Sequence, residues 1–142
     1  MSEHSGTMEG DAHRLAMRVY YEDTDSAGIV YYANYLKFAE RGRTEMIRLL
    51  GVPHGGRENG AGFAVRRCQV DYLRPARLDD DIDVWTRVIA LSGASAELDQ
   101  VVRRDGVDLA RLVVRLAYVT PAGKPVRLPE SFRAAVKPLL QS

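Results

Sequence analysis

The sequence predicts an α+β domain in which one long helix packs on the concave face of an antiparallel sheet. Only one stretch repeats its apolar residues at helical spacing, whereas several others alternate apolar and polar residues as strands do. Four of the five expected strands follow one another without an intervening helix of comparable length. A parallel, doubly wound sheet needs a helix between consecutive strands, so an antiparallel sheet is expected.

The composition is that of one ordinary globular domain. The chain has 142 residues, of which 46% are hydrophobic and 27% charged. Its net charge of +1 supplies no field for nucleic acid or an anionic membrane as the main partner. The single Cys68 excludes an intramolecular disulfide, and no run approaches the ~20 apolar residues of a spanning helix. The sequence therefore predicts a cytoplasmic protein without membrane insertion.

The first residues of the chain are predicted to form a tail followed by the first strand. Residues 1–12 are polar, small and acidic, and are expected to form a disordered tail before a single domain over residues 13–142. Residues 13–21 alternate apolar with polar or small side chains, which predicts the first strand.

The long helix is expected over residues 34–50. Its apolar side chains recur at intervals of three and four, and its length corresponds to ~25 Å. Asn34 is expected to be the N-cap, and Gly51 followed by Pro53 ends the helix.

The remaining strands are expected to form a meander after a loop at residues 54–62. Asp105-Gly106 is a strong hairpin signal, and a short helix is expected from Pro129. The strands are predicted at residues 63–73, 81–91, 95–104 and 107–119.

The stretch "YYEDTDSAGIVYYANY", residues 20–35, holds the candidate site. Glu22, Asp23 and Asp25 lie between the first strand and the helix, where acids are common in solvated turns for local reasons. Gly28 permits a sharp backbone path, and the apolar residues after it would exclude water from whatever the turn presents.

A carboxylate that faces the free N–H groups of a helix start across an apolar gap suits acyl chemistry. The N–H groups can hold a developing oxyanion, while the carboxylate attacks or activates water. One such donor lowers a barrier by roughly 3–4 kcal/mol. From these residues alone, the solvated turn and the catalytic carboxylate both stay open.

Other chemistries have little support in the sequence. No ladder of Asp and Asn and no pair of His follows the turn, so no metal site is expected. There is no GxGxxG or P-loop, and none of the three histidines stands in a nucleophile pattern. We therefore expect no cofactor.

Three segments resemble one known family, the hot-dog-fold acyl-CoA thioesterases of the 4-hydroxybenzoyl-CoA thioesterase-like branch. Residues 18–31 resemble the family's active-site signature, "ANYLKFAERGRTEMIR" its central helix, and "VDYLRPARLDD" the segment after its second strand. The likeness covers roughly residues 14–128 and is nearest to the bacterial thioesterases associated with the Tol–Pal system. It implies a hot-dog fold, a five-stranded curled sheet around one central helix.

The resemblance also implies which residues act. Asp25 matches the family's catalytic carboxylate, the N–H of Tyr32 matches its carbonyl-polarising donor, and Gly28 shapes the turn. Tol–Pal-type members usually carry His at the position of Tyr32, whereas hydroxybenzoyl-type enzymes carry Tyr. Active sites would form between two protomers of a dimer, and two dimers would make a tetramer.

The expected reaction is hydrolysis of an acyl-CoA thioester to a free acid and CoA. Asp25 would be the nucleophile or the general base. The basic cluster that grips CoA phosphates in the hydroxybenzoyl enzyme would fall at "LSGAS", which is uncharged, so Arg66, Arg87 or Arg104 are the candidates for that contact. The alternatives are a hot-dog hydratase or dehydratase acting on acyl thioesters, and a non-catalytic acyl-CoA-binding or scaffold module.

Overall fold

The computed structural model describes residues 3–140 and confirms the α+β architecture. One six-stranded antiparallel sheet carries a long helix on one face and a short helix near the C-terminus. The elements are β1 (Thr7–Glu9), β2 (Ala12–Arg18), α1 (Asn34–Leu49), β3 (Gly62–Tyr72), β4 (Asp81–Leu91), β5 (Ser95–Arg104), β6 (Val107–Val119) and α2 (Glu130–Val136).

The helix α1 packs across the middle of the sheet, on β2, β4 and β5. Phe38 and Met46 of α1 are buried in the main core cluster. Gly42 marks the closest approach, because a Cβ there would lie 2.8 Å from Cγ1 of Val84 and 3.0 Å from Oγ1 of Thr86. The sequence of α1 therefore seats the helix directly against the central strands.

The order of strands is β1-β2-β4-β5-β6-β3, which corrects the expected four-strand meander. Strands β4, β5 and β6 do form a meander, but β3 pairs with β6 at the far edge. The reason lies in residues 73–80, which cross from β3 to β4 instead of turning tightly. The N–H groups of Leu73 and Arg74 both donate to the carbonyl of Leu109, at 2.8 and 3.0 Å.

The expected disordered tail is wrong for residues 3–12, and residues 1 and 2 lie outside the described part. Residues Glu3–Ser5 form a 3₁₀ turn, and β1 pairs with β2 as a sixth strand. The segment is fixed because the fully buried His13 contacts the carbonyl of Ser5 through Nε2 at 2.6 Å. The Ser5 hydroxyl also donates to Glu45 of α1 at 3.1 Å.

Strand β3 is an edge strand that is exposed on both faces over most of its length. Its partner β6 covers one edge, and Cys68 is exposed, although a lone cysteine in a strand usually packs in the core. None of the helices within residues 3–140 is long and apolar enough to cross a membrane.

Candidate active site

The acidic stretch forms a compact turn between β2 and α1. The N–H of Asp25 donates to the carbonyl of Ile29 at 2.9 Å, and the N–H of Gly28 donates to the carbonyl of Asp25 at 3.1 Å. Gly28 has φ +78°, a left-handed conformation that is costly for residues with a Cβ. The expected sharp turn at Gly28 is therefore present.

The three acids of the turn differ in their surroundings. Asp23 is buried, and its Oδ2 accepts the N–H of Tyr20 at 2.8 Å. Glu22 and Asp25 are exposed, and Oδ1 of Asp25 accepts the N–H of Ala27 at 2.8 Å. Asp23 thus holds the turn together, whereas Glu22 and Asp25 are the acids that solvent or a substrate can reach.

Asn34 lies inside the first turn of α1, and the expectation that it is the N-cap is wrong. The cap position is Ala33, which makes no side-chain cap hydrogen bond. The amide of Asn34 instead donates to the carbonyl of Asp23 at 2.8 Å, and the N–H of Tyr31 donates to the same carbonyl at 3.0 Å. Asn34 therefore joins the helix start to the acidic turn.

The helix start presents free backbone donors beside this turn. Among the residues that the structure describes, the N–H groups of Tyr32 and Ala33 have no hydrogen-bond acceptor. Such groups carry the positive end of the helix dipole and suit an anionic oxygen. The Tyr32 side chain is 61% exposed, and its ring lies edge-on to Tyr72 with centroids 6.1 Å apart.

Residues 75–80 form backbone hydrogen bonds to the acidic turn and support it. The N–H of Val30 donates to the carbonyl of Ala76 at 2.8 Å, and the N–H of Leu78 donates to the carbonyl of Gly28 at 3.1 Å. Ala76 is itself held, because its N–H donates to the hydroxyl oxygen of Tyr35 at 2.9 Å. Burial raises the pKa of Tyr35, so the phenol stays protonated.

An ion pair fixes the same connection from the sheet side. Arg104 contacts Oδ2 of Asp80 at 2.6 Å, and the N–H of Arg77 donates to that oxygen at 2.8 Å. Sequence reasoning missed Tyr35, Asp80 and Arg104 as supports of the turn. The segment "VDYLRPARLDD" pointed to this connection, but nothing in it indicates that the connection passes under the acidic turn.

The arginines considered for CoA phosphates are in different situations. Arg87 lies 3.6 Å from Asp99 and 3.9 Å from Asp11, and Arg104 is engaged by Asp80. Arg66 is exposed on β3 and forms no ion pair with any residue of the described range. Within that range, no group of three or more His, Cys, Asp or Glu side chains could hold a metal ion.

An antiparallel sheet with one long helix packed across its middle is the architecture of the hot-dog class of proteins. The chain belongs to the thioesterase-like superfamily, whose sequence profile matches residues 19–136.

Individual relatives agree with this assignment. The chain is 39% identical over 122 residues to the acyl-CoA thioesterase YbgC of Haemophilus influenzae, covering 84% of this chain and 90% of the relative. It is 38% identical over 130 residues to the acyl-CoA thioester hydrolase YbgC of Escherichia coli, covering 87% and 95%. A solved thioesterase of Thermus thermophilus, in complex with coenzyme A and Zn, has 32% identity and a TM-score of 0.77, covering 93% and 96%.

Proposed function

We propose that this protein hydrolyses an acyl-CoA thioester to a free acid and CoA, with Asp25 as the catalytic carboxylate. One observation carries the proposal: an exposed carboxylate and the unpaired N–H of Tyr32 lie at the two ends of one short, tightly bonded turn. The names of the relatives from Haemophilus influenzae and Escherichia coli support acyl-CoA as the substrate class.

In this mechanism the thioester carbonyl oxygen points at the helix start. The N–H groups of Tyr32 and Ala33 stabilise the negative charge that develops on this oxygen when the carbonyl is attacked. The donors are backbone groups, so they serve equally with Tyr or His at position 32. A donor already in place needs no reorganisation at the moment of reaction.

Asp25 then supplies the attacking oxygen in one of two ways. As a nucleophile it forms a mixed anhydride and releases the CoA thiolate, after which water cleaves the anhydride. As a general base it takes a proton from the water molecule that attacks the carbonyl directly. In either case water and thioester yield a carboxylic acid and a thiol. The mechanism uses no metal and no redox cofactor.

We also propose that the active form is a homodimer joined through β3, and that two dimers form a tetramer. Strand β3 leaves one edge unpaired and is exposed on both faces, which is the kind of edge that accepts another strand. Tyr72 of β3 donates its hydroxyl to the carbonyl of the exposed Tyr32 at 3.1 Å, so a second copy seated on β3 would lie next to this end of the site. The cytoplasmic location and membership of the 4-hydroxybenzoyl-CoA thioesterase-like branch remain predictions.

Replacing Asp25 by Asn tests the proposed role of the carboxylate. We expect thiol release from acyl-CoA to fall by several orders of magnitude, because an amide neither attacks the carbonyl nor takes a proton from water. Glu22→Gln is the matched control, since Glu22 is an exposed acid of the same turn, and it should retain full activity. Both variants should keep the wild-type melting temperature.

The same assays separate the alternatives. Near-normal thiol release by Asp25→Asn would refute the catalytic role of this carboxylate. Loss of the enoyl-CoA double bond without thiol release would indicate a hydratase instead. Tight acyl-CoA binding without turnover, unchanged in Asp25→Asn, would indicate a binding module.

A further inference from the structure

A cavity of about 370 Å³ lies beside the second half of α1, and the proposed mechanism does not use it. The cavity lies between α1, the loop at residues 54–62 and the first residues of β3. Its walls combine apolar and basic side chains. They include Arg43, Thr44, Ile47, Arg57, Phe63 and Leu116.

Arg43 brings a partly buried positive charge to this cavity. Its Nη1 donates to Oε1 of Gln100 at 3.0 Å, and Gln100 is fully buried. The amide of Gln100 in turn donates to the carbonyl of Ala39 at 2.9 Å and to Oγ1 of Thr86 at 2.8 Å. This buried network fixes the guanidinium at the cavity wall.

The charge of Arg43 has no carboxylate partner in the described part of the chain, where no acidic oxygen lies within 4.0 Å of it. Burial lowers its pKa, while nearby Glu40 raises it, yet an arginine stays protonated at neutral pH. Buried charges are normally paired, because an isolated one loses its hydration without compensation. An anion is therefore the expected partner for this guanidinium.

The other charged residues at the cavity do not cancel this charge. Arg48 is paired with Glu45 at 2.8 Å, and Arg57 forms no ion pair with any residue between positions 3 and 140. Glu40 is the acid among the lining residues. Arg43 and Arg57 together outnumber it, so the cavity has an excess of positive charge.

The cavity lies along the helix from the proposed active site. Leu36, Glu40, Arg43 and Ile47 follow one another at intervals of three or four and so share one helix face. Two ends of strand β3 mark the same two places. The Tyr72 hydroxyl donates to the carbonyl of Tyr32 at 3.1 Å, and Phe63 lines the cavity. The helix rise from Asn34 to Arg43 is about 14 Å.

We propose that Arg43 binds an anionic group of the substrate, the terminal carboxylate of a dicarboxylic acyl chain whose thioester lies at Tyr32. This inference rests on the proposed thioesterase function and names its substrate class. The guanidinium presents planar paired donors that match a carboxylate. The apolar wall formed by Ile47, Phe63 and Leu116 favours an acyl chain over the strongly hydrated phosphates of CoA, which share the same anionic chemistry.

The test compares thiol release from pairs of thioesters that differ only in the terminal carboxylate. The pairs are suberoyl-CoA with octanoyl-CoA and dodecanedioyl-CoA with dodecanoyl-CoA, whose chain lengths bracket the distance to Arg43, and each is assayed with wild type, Arg43→Gln and Arg41→Gln. Arg41 is exposed on the same helix and does not line the cavity, so its variant is the matched control.

For at least one pair, we expect wild type to prefer the dicarboxylic member in kcat/KM. Arg43→Gln should lower that preference by about ten- to a hundredfold, the size expected for losing a hydrogen bond to a charged group. Activity on the plain acyl-CoA should persist, and Arg41→Gln should behave as wild type. Arg43→Lys, the substitute where Arg43→Gln is insoluble, should retain part of the preference.

Three results would overturn the assignment. One is that, for both pairs, the ratio of kcat/KM on the dicarboxylic thioester to kcat/KM on the plain thioester is the same in wild type and Arg43→Gln. Another is that Arg43→Gln releases thiol more slowly than wild type from octanoyl-CoA but equally fast from octanoyl-pantetheine. Because pantetheine lacks the phosphates of CoA, this result would place a CoA phosphate at Arg43. The third is a change of oligomeric state in Arg43→Gln, which would place a partner's acid there. Failure of the proposed function appears separately, as hydrolysis of octanoyl-CoA by Asp25→Asn at the wild-type rate.

Discussion

Replacing Tyr35 by Phe removes one oxygen that supports the acidic turn from inside the core. The hydroxyl of Tyr35 accepts the N–H of Ala76 at 2.9 Å, and Tyr35 and Ala76 are 3% and 0% exposed. The ring of a phenylalanine keeps the edge contacts with Phe38 and Tyr72, whose centroids lie 6.0 and 5.5 Å away. The substitution therefore isolates the hydrogen bond from the packing.

The loss of stability in Tyr35→Phe depends on the burial of the Ala76 N–H, which loses its acceptor. No water can replace the Tyr35 hydroxyl at this buried position, so the N–H of Ala76 is left without an acceptor. An unsatisfied buried donor lowers the free energy of unfolding by about 1–3 kcal/mol. For a chain of this length, each kcal/mol lowers the melting temperature by roughly 2–4 °C. We therefore expect a fall of about 2–12 °C in Tyr35→Phe.

Activity should fall as well, because Ala76 is bonded to the turn. Its carbonyl accepts the N–H of Val30 at 2.8 Å, so a shift of Ala76 moves the backbone between Asp25 and Tyr32. Displacements of this kind near a reacting centre lower kcat more than KM. Thermal unfolding and thiol-release kinetics on the same preparation measure both effects.

Tyr21→Phe is the control, since Tyr21 is 83% exposed and its hydroxyl makes no hydrogen bond to any residue from 3 to 140. It should match wild type in melting temperature and kcat. A melting temperature for Tyr35→Phe that equals that of Tyr21→Phe would refute the reasoning, because it would mean that the Ala76 N–H finds another acceptor at no cost.

Two further predictions concern other parts of the fold. Gly42→Ala should lower the free energy of unfolding, measured in urea, by about 1–3 kcal/mol. The reason is that the added Cβ would lie 2.8 Å from Val84 and 3.0 Å from Thr86. Unchanged stability would contradict the close approach of α1 to the sheet. Burial lowers the pKa of His13 below its ordinary value of 6.5, so the stability linked to this group is present above pH 6.5 and is lost as the pH falls below it. His13→Gln should flatten this dependence between about pH 8 and pH 5, and an unchanged pH dependence of the free energy of unfolding in this variant would contradict the reasoning.

Local patterns were sufficient for most of the elements. The apolar spacing of residues 34–50 and the hairpin signal at Asp105-Gly106 depend on neighbours in sequence, and both are confirmed to within one residue. The acidic turn and the left-handed Gly28 are local in the same sense. These features need no knowledge of the remaining chain.

Long-range partners account for what the sequence did not predict. Strand β3 looks like a member of a meander, and only its pairing with β6 places it at the far edge. Residues 3–12 look disordered because their order comes from side-chain contacts of Ser5, one with the nearby His13 and one with Glu45 of α1, which is distant in sequence. Asn34 has the residue type of an N-cap, yet its amide is taken by the carbonyl of Asp23.

The connection at residues 73–80 has a consequence for how the protein is made. At one end it is bonded to the carbonyl of Leu109 in β6, and further along it bonds to Gly28 and Val30 of the turn near the start of the chain. On the ribosome, Asp25 emerges early, but the support beneath it is complete only after β6 has been synthesised and paired. A nascent chain that ends before β6 should therefore be catalytically silent, so that hydrolysis of thioesters begins only once the sheet has closed.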